Sequence, residues 1–155
     1  MNPQFTFVYQ GITDEQFAVY PEHYRLDVTH HNISTQIRFL HKFSTRQIGC
    51  ELTVDFMAVD QAPFLRCAIV CMFQIDKTSW AERLSKEKDF TTIEEGIFLH
   101  FAAFTIGTLR GVLHVRQQNK TVNATLPPVN VFPLIKDMTE EERIIRAGKE
   151  VHSLT

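Results

Sequence analysis

The sequence predicts an α+β fold in which an antiparallel sheet is covered by one long helix. Three segments between residues 33 and 75 alternate apolar and polar side chains, as half-buried strands do. A later segment, residues 97–113, is largely apolar and follows two helix-start signals. Because the strands follow one another through short turns, we expect an antiparallel meander with the helix packed on it.

The strands are predicted from their period-two patterns. Alternation runs through residues 33–43, 50–58 and 64–75, and polar turn residues separate these segments. A further short strand is predicted at Phe5–Tyr9, where Phe-Thr-Phe-Val-Tyr puts three aromatic rings on one side. Tyr20-Pro21 then breaks the chain, because proline lacks an amide donor and restricts the residue before it.

Capping motifs mark the predicted helices. Ser79-Trp80-Ala81-Glu82 fits a capping box, in which the serine and glutamate side chains bind free amides, and it predicts a short helix or turn. Thr91-x-x-Glu94 and Thr92-x-x-Glu95 repeat this motif directly before the long helix. We expect the long helix to end near Arg116.

The C-terminal part is predicted to be an extended connector followed by a short helix. The prolines of residues 126–133 exclude a regular helix and favour extended geometry. Thr139-Glu140-Glu141-Glu142 is one more capping box, and the helix it begins is expected to end near Gly148. With 155 residues and no repeat, the chain is predicted to be a single domain over residues 1–155.

More apolar surface is predicted than one sheet face and one helix face can bury. On the last strand of the meander, the face with Phe64, Val70 and Met72 is less polar than an exposed face needs to be. The long helix is apolar almost all round, so the face that does not pack on the sheet needs another apolar surface to cover it. Gly107 and Gly111, four apart, suit close helix contact, or else only weaken the helix. We therefore expect self-association through this helix.

Charge and hydropathy narrow the classes of partner. A net charge of −2 without a basic field speaks against nucleic acid or an anionic membrane as the main partner. The N-terminal segment lacks a basic start followed by an apolar run, which favours a cytoplasmic chain. A membrane-spanning role for the long helix is disfavoured because Glu94, Glu95, His100 and Arg110 leave a short uncharged stretch.

The sequence offers few candidates for catalysis or metal binding. The histidines worth weighing lack ligand spacing, so no metal or cofactor is predicted: His30, His31, His41, His100 and His114. Cys50, Cys67 and Cys71 fit no disulfide framework and are predicted to be buried free thiols with a raised pKa. Asp55 and Asp60 occupy ordinary places for solvated carboxylates. We therefore expect a protein that is not an enzyme.

The order of these elements, with one local motif, resembles the SecB family of bacterial preprotein chaperones. The most specific likeness lies in Phe98–Leu134, where the long helix is followed by Leu126-Pro127-Pro128-Val129-Asn130-Val131. This run is similar to the family's leucine, proline, valine, asparagine signature. Phe64-Leu65 and Met72-Phe73-Gln74-Ile75 are similar to the family's third strand, so the likeness covers residues 33–135.

The resemblance implies a four-stranded antiparallel sheet with a long helix packed on it and a short C-terminal helix. It also implies a homotetramer, a dimer of dimers packed through the long helices, that binds non-native polypeptides in apolar grooves and uses no cofactor. The residues proposed for the grooves are Phe17, Tyr20, Met72, Trp80 and Phe132. Those proposed for the oligomer interface are Phe98, Phe101, Ala102, Thr105 and Leu109.

One position departs from the family pattern. Just after the third-strand leucine the family carries an exposed acidic residue, part of the surface that docks the export motor SecA, whereas this chain has Arg66 or Cys67 there. A positive or apolar group would not attract the same partner, which puts delivery to SecA in doubt. A SecB-like scaffold, or a chaperone of toxin–antitoxin pairs that is dedicated to one partner, is the alternative. A small-molecule enzyme ranks third.

Overall fold

The computed structural model describes residues 5–27, 31–58, 62–84, 90–92, 95–120, 122–130 and 144–146. The strands are β1 Phe7–Val19, β2 Asn32–Lys42, β3 Gln47–Met57, β4 Pro63–Ile75, β5 Phe90–Thr92 and β6 Ile144–Arg146. The helices are α1 Lys77–Ser79, which continues into a π-helical turn Trp80–Leu84, and α2 Glu95–Arg116. Short 3-10 turns occur at Pro21–His23 and Phe43–Thr45.

The predicted α+β architecture is confirmed. Strands β1 to β4 form one antiparallel sheet in the order β1-β4-β3-β2, and α2 packs against it. The meander β2-β3-β4 was predicted from alternation, and each of its strands lies within a few residues of the expected bounds. Strand β1 pairs with β4, so β1 and β2 are the two edges of the described sheet.

Strand β1 is much longer than the predicted Phe5–Tyr9, since it continues to Val19. The pairing of β1 with β4 shifts register between Tyr9 and Gly11 and again between Ile12 and Asp14. Gly11 adopts a φ of 105°, which L side chains rarely reach. Each bulge changes which residues face the core, so the strand lacks a continuous period of two in its sequence.

The core lies between one sheet face and α2. Its sheet side consists of alternate residues of β3 and β4, among them Leu52, Phe56 and Phe73, all fully buried. Phe98 of α2 packs edge-on against Phe39 of β2, with ring centroids 4.3 Å apart. The core is therefore rich in phenylalanine, and its sheet side consists of the apolar positions of the alternating segments.

The opposite face of the sheet is partly apolar at its centre. Val70 is 2% exposed and Met72 4% exposed, while hydrogen-bonded polar side chains flank them on the same face. Gln47 Nε2 donates to Gln10 Oε1 at 2.7 Å, and Arg66 forms a bidentate ion pair with Asp55 at 2.6 and 2.8 Å. Val70 and Met72 are therefore buried within the protomer, and at these two positions the face does not offer the surplus apolar surface that the sequence predicted.

The short helix begins earlier than its motif indicated. Asp76 is the N-cap of α1, because its carboxylate accepts hydrogen bonds from the amides of Thr78 at 3.0 Å and Ser79 at 3.4 Å. The capping-box prediction for Ser79 was therefore wrong. The Ser79 hydroxyl instead accepts a hydrogen bond from the Thr6 amide at 2.9 Å, which ties this turn to the start of β1.

The C-terminal prediction is only partly tested. Ile144–Arg146 pairs as an antiparallel strand with Phe90–Thr92, so this part of the predicted terminal helix was wrong. The remainder of that prediction, residues 139–143 and 147–148, lies outside the described residues. Of the predicted connector, residues 126–130 are non-helical, as the prolines predicted, and residues 131–133 lie outside the described residues.

Candidate functional site

Large apolar side chains are exposed where the edge strand β1 meets α2. The register places Ile12, opposite Cys71, two positions along β4 from Phe73, which is opposite Tyr9. Tyr9, Ile12 and Phe104 are 36%, 37% and 38% exposed. The rings of Tyr9 and Phe104 touch, with centroids 4.6 Å apart. We call these three residues the strand–helix strip.

The course of α2 along β1 creates this strip. Contacts between the two elements progress in the same direction, from Phe7 with His100 through Tyr9 with Phe104 to Glu15 with Arg116. Tyr9 belongs to the core face of the sheet, but it lies on an edge strand, so the core covers only one side of it. Its exposure follows from this edge position.

An aromatic layer supports the strip from behind. Phe73 lies 5.6 Å from the Tyr9 ring and 5.5 Å from the Phe104 ring, and it stacks on Phe101. Phe7 packs edge-on against Phe101 at 5.1 Å. Because Phe73 and Phe101 are fully buried, the exposed rings are held on a packed base.

The electrostatics of the strip favour an uncharged surface. Burial, followed by the nearby Cys71 thiol, raises the pKa of Tyr9 to about 12, so its phenol is neutral at physiological pH. At one end, Arg116 donates to Glu15 at 2.7 Å, and this hydrogen bond lowers the pKa of the Glu15 carboxyl. The strip therefore presents apolar rings beside one compensated ion pair.

The outward face of α2 beside the strip carries small residues. Ala103, Gly107 and Gly111 are exposed at intervals of four residues. A Cβ added at Gly107 or Gly111 would meet no atom within 4 Å. The close contact suggested by this spacing is therefore absent inside the described protomer, and a flat, open helix face remains.

Helix α2 is also long and apolar enough to cross a membrane. Over Gly96–Arg116 its most apolar window has a mean hydropathy of 1.5, so the sequence-based argument from a short uncharged stretch was too strict. However, 44% of that window is buried inside the protomer, as expected for a helix that packs on a sheet. Length and composition alone are weak evidence for a span.

The residues predicted for polypeptide binding differ in how exposed they are. Tyr20 is 38% exposed, and Phe17 is half-buried at the edge of the core. Met72 and Trp80 are buried, at 4% and 7% exposure, because Met72 lies in the covered centre of the sheet and Trp80 belongs to the core cluster. These two were wrong as open groove residues, and Phe132 lies outside the described residues.

The predicted interface residues lie on the wrong side of α2 for an interface. All five are completely buried within the protomer, where they face its own sheet and not a second copy: Phe98, Phe101, Ala102, Thr105 and Leu109. The cause is that α2 is apolar on both faces, so periodicity alone did not tell which face meets the sheet. The face left open contains Ala103, Phe104, Gly107 and Gly111.

A second aromatic cluster lies where β1 ends and β2 begins. Phe64 is its centre, with the Tyr24 ring 5.0 Å away and the His31 ring 4.7 Å away. Tyr20 stacks on His23 at 6.3 Å, and its amide donates to the Phe64 carbonyl. His23 Nδ1 and His31 Nε2 are buried without a hydrogen-bond partner. The predicted groove residue Tyr20 therefore packs at the edge of this aromatic cluster.

The candidate thiol nucleophiles are buried and the candidate carboxylate Asp55 is engaged, while Asp60 and His30 lie outside the described residues. Cys50, Cys67 and Cys71 are buried free thiols, and burial raises the pKa of each, to about 12 for Cys50 and about 11 for Cys67. Among the described residues, no group of three or more His, Cys, Asp and Glu side chains could hold a metal ion. The Asp55 carboxylate is held by Arg66, so it acts structurally on the outer sheet face.

Two of the strip residues had a signal in the sequence. The run Phe5–Tyr9 placed Tyr9 among aromatic residues on one face of a strand, and that strand proves to be an edge. Phe104 lies one position from Ala103 in the small-residue face of α2. Ile12 had no readable signal, because it lies between the two register shifts of β1.

Comparisons with protein-family models, curated proteins and solved structures gave no match to this chain. The exposed strip, the open helix face and the free edge of the described sheet are therefore the features from which a function can be argued. All three lie on or beside β1 and α2.

Proposed function

We propose that this protein is a SecB-like, non-enzymatic chaperone of the cytoplasm that holds non-native polypeptides against an exposed apolar surface. The observation that carries the proposal is the strand–helix strip, in which three large apolar side chains are each more than a third exposed. Contiguous apolar surface marks interaction sites, whereas single exposed apolar residues are normal. Burial of a client side chain there contributes about 25 cal/mol per Å² of apolar area, with no cofactor needed.

The backbone of β1 adds a sequence-tolerant contribution. In the described sheet β1 pairs with β4 on one side, so its other side offers unpaired amide and carbonyl groups. An extended segment that adds to such an edge gains main-chain hydrogen bonds, while neighbouring side chains supply apolar contacts. An edge next to the strip suits clients that share exposed apolar stretches but no sequence motif.

We further propose that the protein assembles as a homotetramer, a dimer of dimers, with the open face of α2 in the helix contact. Ala103, Gly107 and Gly111 permit close approach of a second helix, since none of these three residues extends beyond a Cβ. The buried face with Phe101 and Leu109 is excluded from this contact. The strip would then border the interface on each protomer.

Arg66 and Cys67 occupy the positions that match the SecA-docking surface of the SecB family. Arg66 is on the outer sheet face and is engaged by Asp55, while Cys67 is buried in the core. Neither supplies the exposed carboxylate that the family surface carries at the matching place. We therefore propose holding of clients as the activity, without coupling to SecA through this surface.

An alternative proposal is a SecB-like scaffold or a toxin–antitoxin-associated chaperone with one dedicated partner. The flat face around Gly107 and Gly111 favours it, because a smooth helix face fits one complementary helix better than many varied clients. Pull-down from cell extract separates the two. Many unfolded proteins in substoichiometric amounts support the general chaperone, whereas one folded partner at fixed stoichiometry supports the alternative.

The direct test is suppression of aggregation. Several chemically denatured client proteins are diluted into buffer with and without this protein, and light scattering follows their aggregation. A general holdase lowers the scattering of most clients at near-stoichiometric ratios without any nucleotide. Unchanged scattering for every client would reject the holding activity.

A further inference from the structure

Two of the buried thiols lie opposite each other on neighbouring strands. Cys50 of β3 and Cys71 of β4 are direct partners in the antiparallel register, and both belong to the core face of the sheet. Directly opposite residues in such a pair have Cα atoms about 4.5–5.5 Å apart. Disulfides form at Cα separations of roughly 4.4–6.8 Å, so the backbone already meets this requirement.

The third thiol lacks this relationship. Cys67 is opposite Val54 on β3 and Phe17 on β1. It lies four residues before Cys71 on the same strand, which separates the two by about 13 Å along an extended backbone. Only one of the three possible pairs among these cysteines therefore has disulfide geometry without rearrangement of the sheet.

Hydroxyl groups surround the facing thiols beneath α2. Thr105 of α2 is fully buried, and its hydroxyl donates to the Phe101 carbonyl oxygen at 2.8 Å. Burial raises the pKa of both Cys50 and Cys71, and Thr105 lowers it against that effect. The Tyr9 hydroxyl donates to Cys71 Sγ at 3.9 Å from the edge strand. This polar cluster interrupts the Phe-lined interface between α2 and the sheet, at the place where the two thiols lie.

We propose that Cys50 and Cys71 form an oxidation site, a latent disulfide that closes between β3 and β4 when α2 lifts from the sheet in the presence of a peroxide. Both thiols are 0% exposed, so an oxidant reaches them only through a local opening. Lifting of α2 removes the cover over the cluster while the strand pairing that aligns the sulfurs persists. This site is independent of the proposed chaperone activity.

The chemistry balances with hydrogen peroxide as the oxidant. One cysteine loses its proton, and its thiolate attacks the peroxide, whose O–O bond breaks to give a sulfenic acid and hydroxide; the hydroxide takes up the released proton and becomes water. The facing thiol then attacks that sulfur, an S–S bond forms, and a second water leaves with the sulfenic oxygen. The two cysteines together lose two protons and two electrons, and the peroxide is reduced to two waters.

Opening is required chemically as well as sterically. Burial raises the pKa of Cys50 and Cys71, which keeps the closed protein in the unreactive thiol form. When α2 lifts, solvent reaches the pair and a larger fraction ionises. The closed state thus protects the two thiols from oxidation. The rate of disulfide formation therefore depends on how often α2 opens.

The test is peptide mapping of the native full chain after treatment with excess hydrogen peroxide. Remaining thiols are blocked with N-ethylmaleimide under denaturing conditions, before digestion without reductant. We expect a linked Cys50–Cys71 peptide and a labelled Cys67. Three labelled cysteines after prolonged treatment, or a link that includes Cys67, would overturn the proposal.

Two sets of variants sharpen this result. Cys67→Ser should form the link as the wild type does, while Cys50→Ala should show no intramolecular link. For the opening step, Phe101→Leu loosens α2 on the sheet and should speed disulfide formation several-fold. Val115→Ala, at a 63% exposed position of the same helix, should leave the rate unchanged. Equal rates in both helix variants would overturn the role of α2.

Discussion

Phe73 of β4 and Phe101 of α2 stack with ring centroids 4.2 Å apart and ring planes 17° from parallel. Both rings are completely buried, and Phe7 packs edge-on against both of them. This pair links the helix to the second strand from the sheet edge. It also forms the base on which Tyr9 and Phe104 rest, so fold stability and the candidate site depend on the same contact.

Removal of the Phe101 ring should therefore destabilise the whole protein. We expect Phe101→Ala to lower the free energy of unfolding by roughly 3–5 kcal/mol, because a buried aromatic side chain is lost and a cavity remains. Urea denaturation monitored by circular dichroism measures the change. Phe104→Ala, at a 38% exposed position, is the matched control and should cost clearly less. Equal losses would contradict this assignment of the helix faces.

The parts of the fold that could be predicted are those with an uninterrupted period. Strands β2, β3 and β4 keep alternation over eleven to thirteen residues, and α2 keeps one long apolar run, whereas Thr91 and Thr92 of the predicted capping motifs lie in β5. Strand β1 was underpredicted because its two register shifts break the alternation. The cap at Asp76 was missed because the capping box at Ser79 matches the same turn three residues later.

The site was harder to predict than the fold, for a physical reason. Exposure depends on which element covers which face, and α2 is apolar on both sides. Phe101 and Phe104 look equivalent in sequence, yet one is fully buried and the other is 38% exposed. Met72 looked available on a second sheet face, whereas it is 4% exposed at the centre of that face.

The phenol of Tyr9 should lose its proton at a higher pH than an ordinary tyrosine does. Burial is the larger cause and Cys71 the smaller one, and together they raise its pKa from 10.0 to about 12. Since the protonated form is favoured in the folded state, this contribution to stability is complete below pH 10 and is lost as pH rises toward 12. The phenolate absorbance of the wild type minus that of Tyr9→Phe isolates this group.

A second variant tests the causes of that shift. Cys71→Ala removes the thiol near Tyr9, so the pKa of Tyr9 should fall part of the way. It should remain above 10.0, because desolvation is the larger cause. A normal pKa in Cys71→Ala would show that the thiol dominates and that the ring is better hydrated than the structure indicates.

The ion pair between Arg116 and Glu15 should make the docking of the end of α2 sensitive to acid. Its hydrogen bond lowers the pKa of Glu15 from 4.5, so the stabilisation is present above pH 4.5 and is lost as pH falls through the lowered value. We expect Arg116→Met to be less stable than the wild type at neutral pH and equally stable in strong acid. Urea titrations across this pH range measure the difference.

Arg110 supplies the matched control for this prediction. It donates to the carbonyl oxygens of Leu126 at 3.3 Å and Pro127 at 2.7 Å, which carry no titratable charge. The stability difference between Arg110→Met and the wild type should therefore stay constant over the same range. A parallel loss in both variants would mean that acid acts elsewhere.

The open face of α2 gives opposite expectations for a monomer and for an oligomer. In a free protomer Gly107→Ala should stabilise the helix by up to about 1 kcal/mol, because alanine is the better helix former and its Cβ meets nothing within 4 Å. If this face packs closely on a second copy, Gly107→Leu should reduce the mass measured by light scattering. If Gly107→Leu leaves the mass unchanged, the open face of α2 is not part of the interface.

The strand–helix strip is tested by making it polar without disturbing its base. Tyr9→Ser and Phe104→Ser each replace a ring that is more than a third exposed, while Phe73 and Phe101 stay in place. We expect each variant to weaken suppression of client aggregation, and the double variant to weaken it most, because apolar contact area scales with binding free energy. Val115→Ser, 63% exposed on the same helix but outside the strip, is the control and should hold clients as the wild type does.

Circular dichroism melts establish that each variant is folded at the assay temperature. If the double variant holds clients as well as Val115→Ser does, the binding surface lies elsewhere, and the aromatic cluster around Tyr20 is the next to substitute.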